Sequence, residues 1–217
     1  MSPIFYMNLS GISEKAGLYK IEIKNLTESS IIYTSNAWLC SCEGDGDGCR
    51  TLIDTGCDPK VLHLLRDIKR NGMKPVDQVI LTHNHYDHMR ILQDIKKEFE
   101  PKTYAMSPYT SGIDKVVSDG DVIPFCQSHF EILVIPGHSS DSICIYCPEE
   151  EILFSGDTPV VIWGTDNTYE EAFFRGFQEL AKKKIQVIYP GHGEIINHNI
   201  PAIIRRSLEN LRNSRLI

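Results

Sequence analysis

The order of apolar runs along this chain predicts an α/β protein in which layered sheets carry helices on their outer sides. Three observations lead there. Short β-branched runs alternate with stretches of helical periodicity from one end to the other. Several of those runs end on a glycine followed at once by His or Asp, which is the chemistry of a sharp turn at a sheet rim. No repeat, low-complexity tract or linker interrupts the pattern, so residues 1–217 read as one domain.

Leu18 to Lys24 alternates apolar and polar residues, as a half-exposed strand does. Ile31 to Cys40 reads as a second strand and Arg50 to Asp54 as a third. The tract from Cys42 to Cys49, rich in Gly and Asp, is the turn between them. Asp58-Pro59 offers a helix cap with proline at the first helical position; Val61, Leu62, Leu65 and Ile68 share one face, and Gly72 supplies the stop. Gln78 to Leu81 is a buried strand, followed by a helix from Met89 to Glu98. Further strands are expected at 102–106, 130–135, 142–147 and 152–155, the last two joined by the turn Cys147 to Glu151. A helix over 169–184, a strand at 186–189 and a closing helix over 200–216 complete the order.

Apolar residues make up 41% of the chain and charged residues 24%, ordinary for a soluble globular protein. A net charge of −7 argues against the basic footprint of a duplex-binding groove, so a small-molecule substrate is expected rather than nucleic acid. Met1 to Tyr6 lacks the basic start and apolar core of an export signal, and no apolar run approaches the roughly 20 residues that span a bilayer. The expectation is a cytoplasmic protein without a membrane partner, its seven cysteines reduced. Nothing in the sequence fixes an oligomeric state. Cys40, Cys42 and Cys49 lack the paired spacing of a structural zinc site, and Asp45-Gly46-Asp47-Gly48 lacks the downstream Glu of a calcium loop; both read as turn composition.

The densest chemistry is Thr82-His83-Asn84-His85-Tyr86-Asp87-His88, four potential metal ligands within six residues at the end of a buried strand. Neutral imidazole suits zinc, and carboxylate oxygen completes a borderline-hard shell. Later strand ends each deliver one more candidate: Gly137-His138, Gly156-Asp157 and Gly191-His192. Upstream, Ile53-Asp54-Thr55-Gly56 has the same strand-then-turn character. His63, His129 and His198 fall outside these segments and read as structural.

Together these five segments, in this order, resemble the metallo-β-lactamase superfamily over residues 30 to 195, nearest in wording to its glyoxalase II-like thioesterase branch. The resemblance implies a four-layer αβ/βα sandwich. It implies two divalent ions, zinc first, with iron or manganese accepted by the same donors. His83, His85 and His138 would hold one ion; Asp87, His88 and His192 the other; Asp157 would bridge them. Asp54 matches the family's outer acid that orients ligands, and Asp87 could also orient an attacking hydroxide; these two are the candidate catalytic carboxylates. The implied activity is hydrolysis of a small ester-like bond, a thioester or lactone, by a metal-bridging hydroxide. Only about two dozen residues follow His192, mostly one expected helix, so a glutathione thioester is not favoured over other small thioesters or lactones. Two alternatives stand beside it: a mononuclear iron persulfide dioxygenase using His83, His138 and Asp157, and a metal-dependent ligand sensor without turnover. The chain departs from the family where Met89-Arg90-Ile91 replaces the small residues that commonly follow the cluster; Arg90 reads first as a solvated helix charge, with a place at the pocket mouth as the alternative. Tyr86, Trp163 and Tyr169 are candidate lining residues.

Overall fold

The computed structural model describes residues 20–43 and 49–217. The Asp-Gly repeat between Cys42 and Cys49 and the first residues of the strand expected from Leu18 lie outside the described residues.

One sheet runs β1 (Lys20–Asn25), β2 (Trp38–Glu43), β3 (Arg50–Ile53), β4 (Gln78–Ile80), β5 (Lys102–Ala105) and β6 (Lys115–Val116) in that spatial order. Its first three strands pair antiparallel and the rest parallel. Helix α1 (Lys60–Arg70) crosses from β3 to β4, and α2 (Tyr86–Met89) with α3 (Leu92–Phe99) from β4 to β5. The second sheet contains β7 (Val122–Phe125), β8 (Ser128–Val134), β9 (Ile143–Cys147), β10 (Ile152–Gly156) and β12 (Val187–Pro190), ordered β12-β10-β9-β8-β7. Between β10 and β12 lie β11 (Thr168–Tyr169) and α4 (Glu171–Leu180); α5 (Ile200–Arg212) and β13 (Arg215–Leu216) follow, with β13 paired to β11.

Central strands are apolar at successive positions because both of their faces are covered. Ile53, Ile80, Phe130, Ile132, Ile145 and Phe154 point between the sheets and make one core. Their neighbours Leu52 and Val79 point the other way, against Val61 and Leu65 of α1 and Leu92 and Ile95 of α3. Leu133, Cys144 and Leu153 likewise pack on Phe173 and Phe177 of α4 and Ile204 of α5. The result is helices, sheet, sheet, helices: the αβ/βα sandwich that the resemblance implied.

Departures from the expected elements have local causes. The second strand begins at Trp38, not Ile31, because residues 31–36 have no ladder partner and no surface to cover. The helix after the metal-ligand cluster is broken at Arg90–Ile91 into α2 and α3. The helices over 169–184 and 200–216 are shorter than expected, ending at Leu180 and Arg212. Strand β7 escapes a sequence reading because Pro124 sits inside it; as a sheet edge, it tolerates a residue that cannot donate. Asp58 does cap α1, its Oδ1 accepting the Lys60 N–H at 2.9 Å.

The cysteines correct the expectation of seven free thiols. Cys42 on β2 and Cys126 in the turn between β7 and β8 form a disulfide across the two sheets, with a sequence separation of 84. The other five are free, and Cys40, Cys144 and Cys147 are buried. Closing so long a loop restricts the unfolded chain, an effect of about 4 kcal/mol on the chain-entropy account. Thiol counting in denaturant without reductant is expected to find five reactive groups. Reduction is expected to lower urea stability by about 2–5 kcal/mol; seven reactive groups, or a denaturation curve indifferent to reductant, would refute the cross-link.

Candidate metal centre

Four segments with candidate donors, and a fifth that carries Asp54, leave the carboxyl ends of strands, and the two sheets are packed so that those ends meet. Asp54 follows β3, His83–His88 follow β4, His138 follows β8, Asp157 follows β10 and His192 follows β12. Loops and the short helix α2, rather than strand interiors, carry the candidate donors, because these segments can aim a polar side chain without breaking a ladder. A cavity of about 290 Å³ opens there, lined in part by Asp157, Thr158, Val160 and His192.

The donor atoms cluster as two groups with a common middle. His83 Nε2 and His138 Nε2 lie 3.0 and 2.9 Å from His85 Nδ1. His192 Nε2 lies 3.0 Å from Asp87 Oδ2, and His88 Nε2 lies 3.8 Å from the same oxygen. Asp157 stands between the groups: its Oδ1 is 3.3 Å from His88 Nε2, while its Oδ2 is 3.4 Å from His138 Nε2 and 3.6 Å from His192 Nε2. His88 Nε2, His192 Nε2 and Asp157 Oδ1 are buried, yet none has a hydrogen-bond partner. Buried polar atoms are ordinarily satisfied, so a convergent set of orphans marks a place where a cation supplies the missing contact. His83, His85 and His138, and Asp87, His88 and His192, each bring three donor atoms within 4.8 Å of one another.

Asp54 is buried behind this cluster rather than facing the cavity. Its Oδ1 accepts the Thr82 N–H at 2.8 Å, and its Oδ2 accepts both the Thr82 hydroxyl at 2.7 Å and the His88 Nδ1–H at 2.8 Å. With Nδ1 protonated toward Asp54, the Nε2 lone pair of His88 faces the cluster. The Thr82 hydroxyl, spent on Asp54, can accept from His83 Nδ1 at 3.1 Å, which likewise frees His83 Nε2. Asp54 is therefore a positioning residue. It holds a left-handed backbone conformation, φ 56°, at a cost of about 1 kcal/mol or more for a non-glycine residue. Thr55 completes the clamp: its N–H donates to the His88 carbonyl at 2.7 Å. Glycine is required at 191, where a Cβ would overlap Asp157 Oδ1 and crowd His88 Cε1.

Other expected positions fall differently. Arg90 points along the helix surface, exposed, with its guanidinium 3.7 Å from Asp94, and does not reach the cavity. Tyr86 and Trp163 are exposed, while Tyr169 stacks on Phe173 in the outer core. His63 and His198 are exposed, and His129 pairs with Glu149 at 3.1 Å. Sequence reasoning missed Thr82 and Thr55, whose small hydroxyls beside the motif were the available signal. It also missed Asn36, whose side-chain amide donates to the Pro190 and Gly193 carbonyls on either side of the His192 turn.

Burial disfavours charge on His83 and, aided by nearby His88, takes its pKa down to about 4. Burial opposes charge on His88 too, but the Asp54 and Asp157 carboxylates outweigh it and raise the pKa to about 10. Without a cation, His88 thus keeps a proton between two acids, while His83 stays neutral. Both residues start from 6.5 in the unfolded chain. Between about 4 and 6.5 the unfolded chain binds more protons at His83, so stability falls as pH drops. Between 6.5 and about 10 the folded protein holds the extra proton on His88, so stability falls as pH rises. Melting of chelator-treated protein is expected to peak between these limbs, and His88→Asn to flatten the alkaline one. A melting temperature still rising at pH 9 would contradict this.

Comparison with known proteins agrees with this geometry. The family model described as the metallo-β-lactamase superfamily matches residues 33–112 and 107–192. The chain is 27% identical over 188 residues to a hydroxyacylglutathione hydrolase of Hydrogenovibrio crunogenus, covering 79% of this chain and 67% of that one. It is 29% identical over 151 residues to an atrochrysone carboxyl ACP thioesterase of Cryptosporiopsis, covering 68% and 47%. It thus spans between about half and two thirds of the length of these curated relatives. The solved structure of ETHE1 from Myxococcus xanthus superposes with a TM-score of 0.63 at 21% identity, covering 88% of this chain and 87% of that one, a likeness of fold. Among the described residues no helix is long and apolar enough to cross a membrane. A sandwich of this topology, with its donors gathered at one rim and the family model matching through both sheets, places the chain in the metallo-β-lactamase superfamily as a hydrolase-like, divalent-metal-binding member.

Proposed function

We propose that this protein is a dinuclear metal-dependent hydrolase that cleaves thioesters of small molecules. The observation that carries the proposal is the pair of three-donor groups joined through Asp157, with buried, unpartnered atoms aimed at their middle. In this assignment His83, His85 and His138 would hold one ion and Asp87, His88 and His192 the second, with Asp157 available to both. Zinc is the expected metal, given the imidazole-rich donor set. A pair of such ions supplies Lewis acidity at the carbonyl and an ionised water at neutral pH. The chain's part is to keep His83 and His88 in the tautomers that present Nε2, and to keep Asp157 between the groups. In the net reaction the carbonyl carbon exchanges its sulfur for a water oxygen, and the thiol leaves with one proton. Names of relatives support a thioester over a lactone, since two matched proteins are a hydroxyacylglutathione hydrolase and an ACP thioesterase.

Metal analysis of the purified protein with a thioester and lactone panel tests the proposal. Two zinc ions per chain and thioester cleavage are expected; one iron with oxygen uptake would replace the reading with an oxidative one. Asp157→Ala is expected to lose most metal and nearly all turnover while the far-ultraviolet spectrum stays unchanged. Asp54→Asn keeps every donor but removes the carboxylate behind His88, so metal affinity is expected to drop by about 10–100-fold. Retention of full affinity would show that Asp54 does not orient the site.

A further inference from the structure

Strands β2 and β3 run between two ends of the sandwich, and sulfur collects at the end away from the metal donors. Trp38 at the start of β2 donates its indole N–H to the Pro190 carbonyl at 3.0 Å, and Asp54 follows β3, so both strands touch the donor rim there. At their far ends stand Cys42 and Cys49. The register fixes where Cys49 points. Cys40 pairs with Thr51 and Ser41 with Arg50, so one step further Cys42 lies opposite Cys49, and the Cys42 N–H donates to the Cys49 carbonyl at 3.4 Å. Residues directly opposite on paired strands project from the same face. Cys42 uses that face to reach the second sheet, where it is bonded to Cys126. Cys49 shares it, and packs with Cys126 against the core between the sheets. The Cys49 carbonyl oxygen lies 3.9 Å from the sulfur of Cys42 and 3.9 Å from that of Cys126. A free thiol thus flanks a disulfide, and the Cys126 N–H is among the groups that favour its thiolate.

Cys126 holds a left-handed backbone, φ 57°, in the two-residue turn Cys126-Gln127, where Gly or Asn would sit without strain. A cysteine there is explained by what its sulfur reaches. Two partners are at hand, and chain entropy does not choose between them: the bridge to Cys42 closes a separation of 84 residues, and one to Cys49 would close 77. Burial separates these sulfurs from the deeper ones. Cys49 and Cys126 are half-buried, whereas Cys40 and Cys147 are sealed in the core, where burial raises their thiol pKa values and keeps them out of exchange.

We propose that Cys42, Cys49 and Cys126 form a thiol–disulfide exchange site in which two thiols compete for one partner sulfur. The Cys49 thiolate attacks Cys126 Sγ, a Cys49–Cys126 bond forms and the Cys42–Cys126 bond breaks. The electron pair leaves on Cys42 Sγ, which takes up the proton that Cys49 gave up, so no oxidant or reductant is consumed. The sheets stay cross-linked, but the anchor moves from β2 to the head of β3, the strand that ends at Asp54. A small thiol from solvent would attack the half-buried Cys126 and be expelled by whichever partner thiol returns. None of this depends on the hydrolase reading.

Disulfide mapping of the full chain tests the site. Glu43, Asp45 and Asp47 lie between Cys42 and Cys49, so cleavage at acidic residues after acid quenching and thiol blocking assigns each bridge to one partner. The protein is first equilibrated with reduced and oxidised mercaptoethanol. Wild type is expected to show both bridges, the Cys49 form amounting to about a tenth or more, as nearly equal loops imply. Cys42→Ser is expected to form the Cys49–Cys126 bridge as fully as Cys49→Ser forms the Cys42–Cys126 bridge. With both changes Cys126 is expected to carry one mercaptoethanol. Cys57→Ser, whose thiol donates to the Tyr33 carbonyl, is the control and should match wild type. A wild-type map holding the Cys42–Cys126 bridge alone would overturn the proposal, whether or not the variants fold. In folded Cys42→Ser protein, a Cys126 left free or capped by mercaptoethanol would overturn it too. A Cys42–Cys49 bridge with Cys126 released would overturn the choice of Cys126 as the shared sulfur.

Discussion

Everything at the metal-binding rim hangs on one buried carboxylate. Asp54 accepts three hydrogen bonds, two from Thr82 and one from His88, and so ties the end of β3 to the whole ligand segment that follows β4. A buried carboxylate is costly unless fully engaged, and three donors, one on an imidazole that carries charge without a cation, meet that cost. The left-handed backbone at Asp54 is what lets the side chain turn into the sandwich instead of continuing the strand. Because Thr55 also grips the His88 carbonyl, the imidazole is fixed from both its ring and its backbone. Ligand precision here is a property of β3 and β4 lying parallel and adjacent.

The electrostatics follow from the same arrangement. Three aspartates and five histidines share a small volume, and burial by itself disfavours charge on His83, His88, His138 and Asp157. Asp157 instead sits below the usual carboxylate range: burial pulls it up, but the nearby imidazoles of His88, His192 and His83 pull it further down. The cluster is thus arranged around positive charge. In the bare protein a proton on His88 supplies it; a divalent ion would supply more, and would displace that proton as it bound. A chain of net charge −7 can therefore still offer an electron-rich carbonyl a favourable centre.

How much of this was legible before the structure depends on whether the signal was local. The strand ends where candidate donors gather were, because glycine followed by His or Asp after an apolar run encodes turn and side chain together, as at Gly137, Gly156 and Gly191. Layered sheets with helices outside were legible in the order of elements, while the αβ/βα sandwich came from the family resemblance. Asp54 could not be seen to face Thr82 and His88, since that depends on a backbone φ. Pro124 hid β7, and the Cys42–Cys126 bond joins residues 84 apart that nothing in their neighbourhoods pairs. Arg90 is the solvated helix charge that its sequence reading favours, turned toward Asp94, and its alternative place at the pocket mouth is not taken.

The segment Ile31–Tyr33 is the most instructive of these. Its β-branched and aromatic residues have strand propensity, yet propensity describes fitness for a half-buried pleated surface, and no such surface lies opposite. What replaces the ladder is a set of bonds to Asp87 of α2, to Pro190 at the end of β12 and to Gly191 and Gly193 beyond it. Movement of the segment therefore strains the same backbone that sets the spacing of Asp87 and His192, which are 3.0 Å apart at their donor atoms. Order in the donor cluster and order in this segment are thereby linked. A cation that fixed the spacing of those two donors would also steady the segment bonded to their backbone.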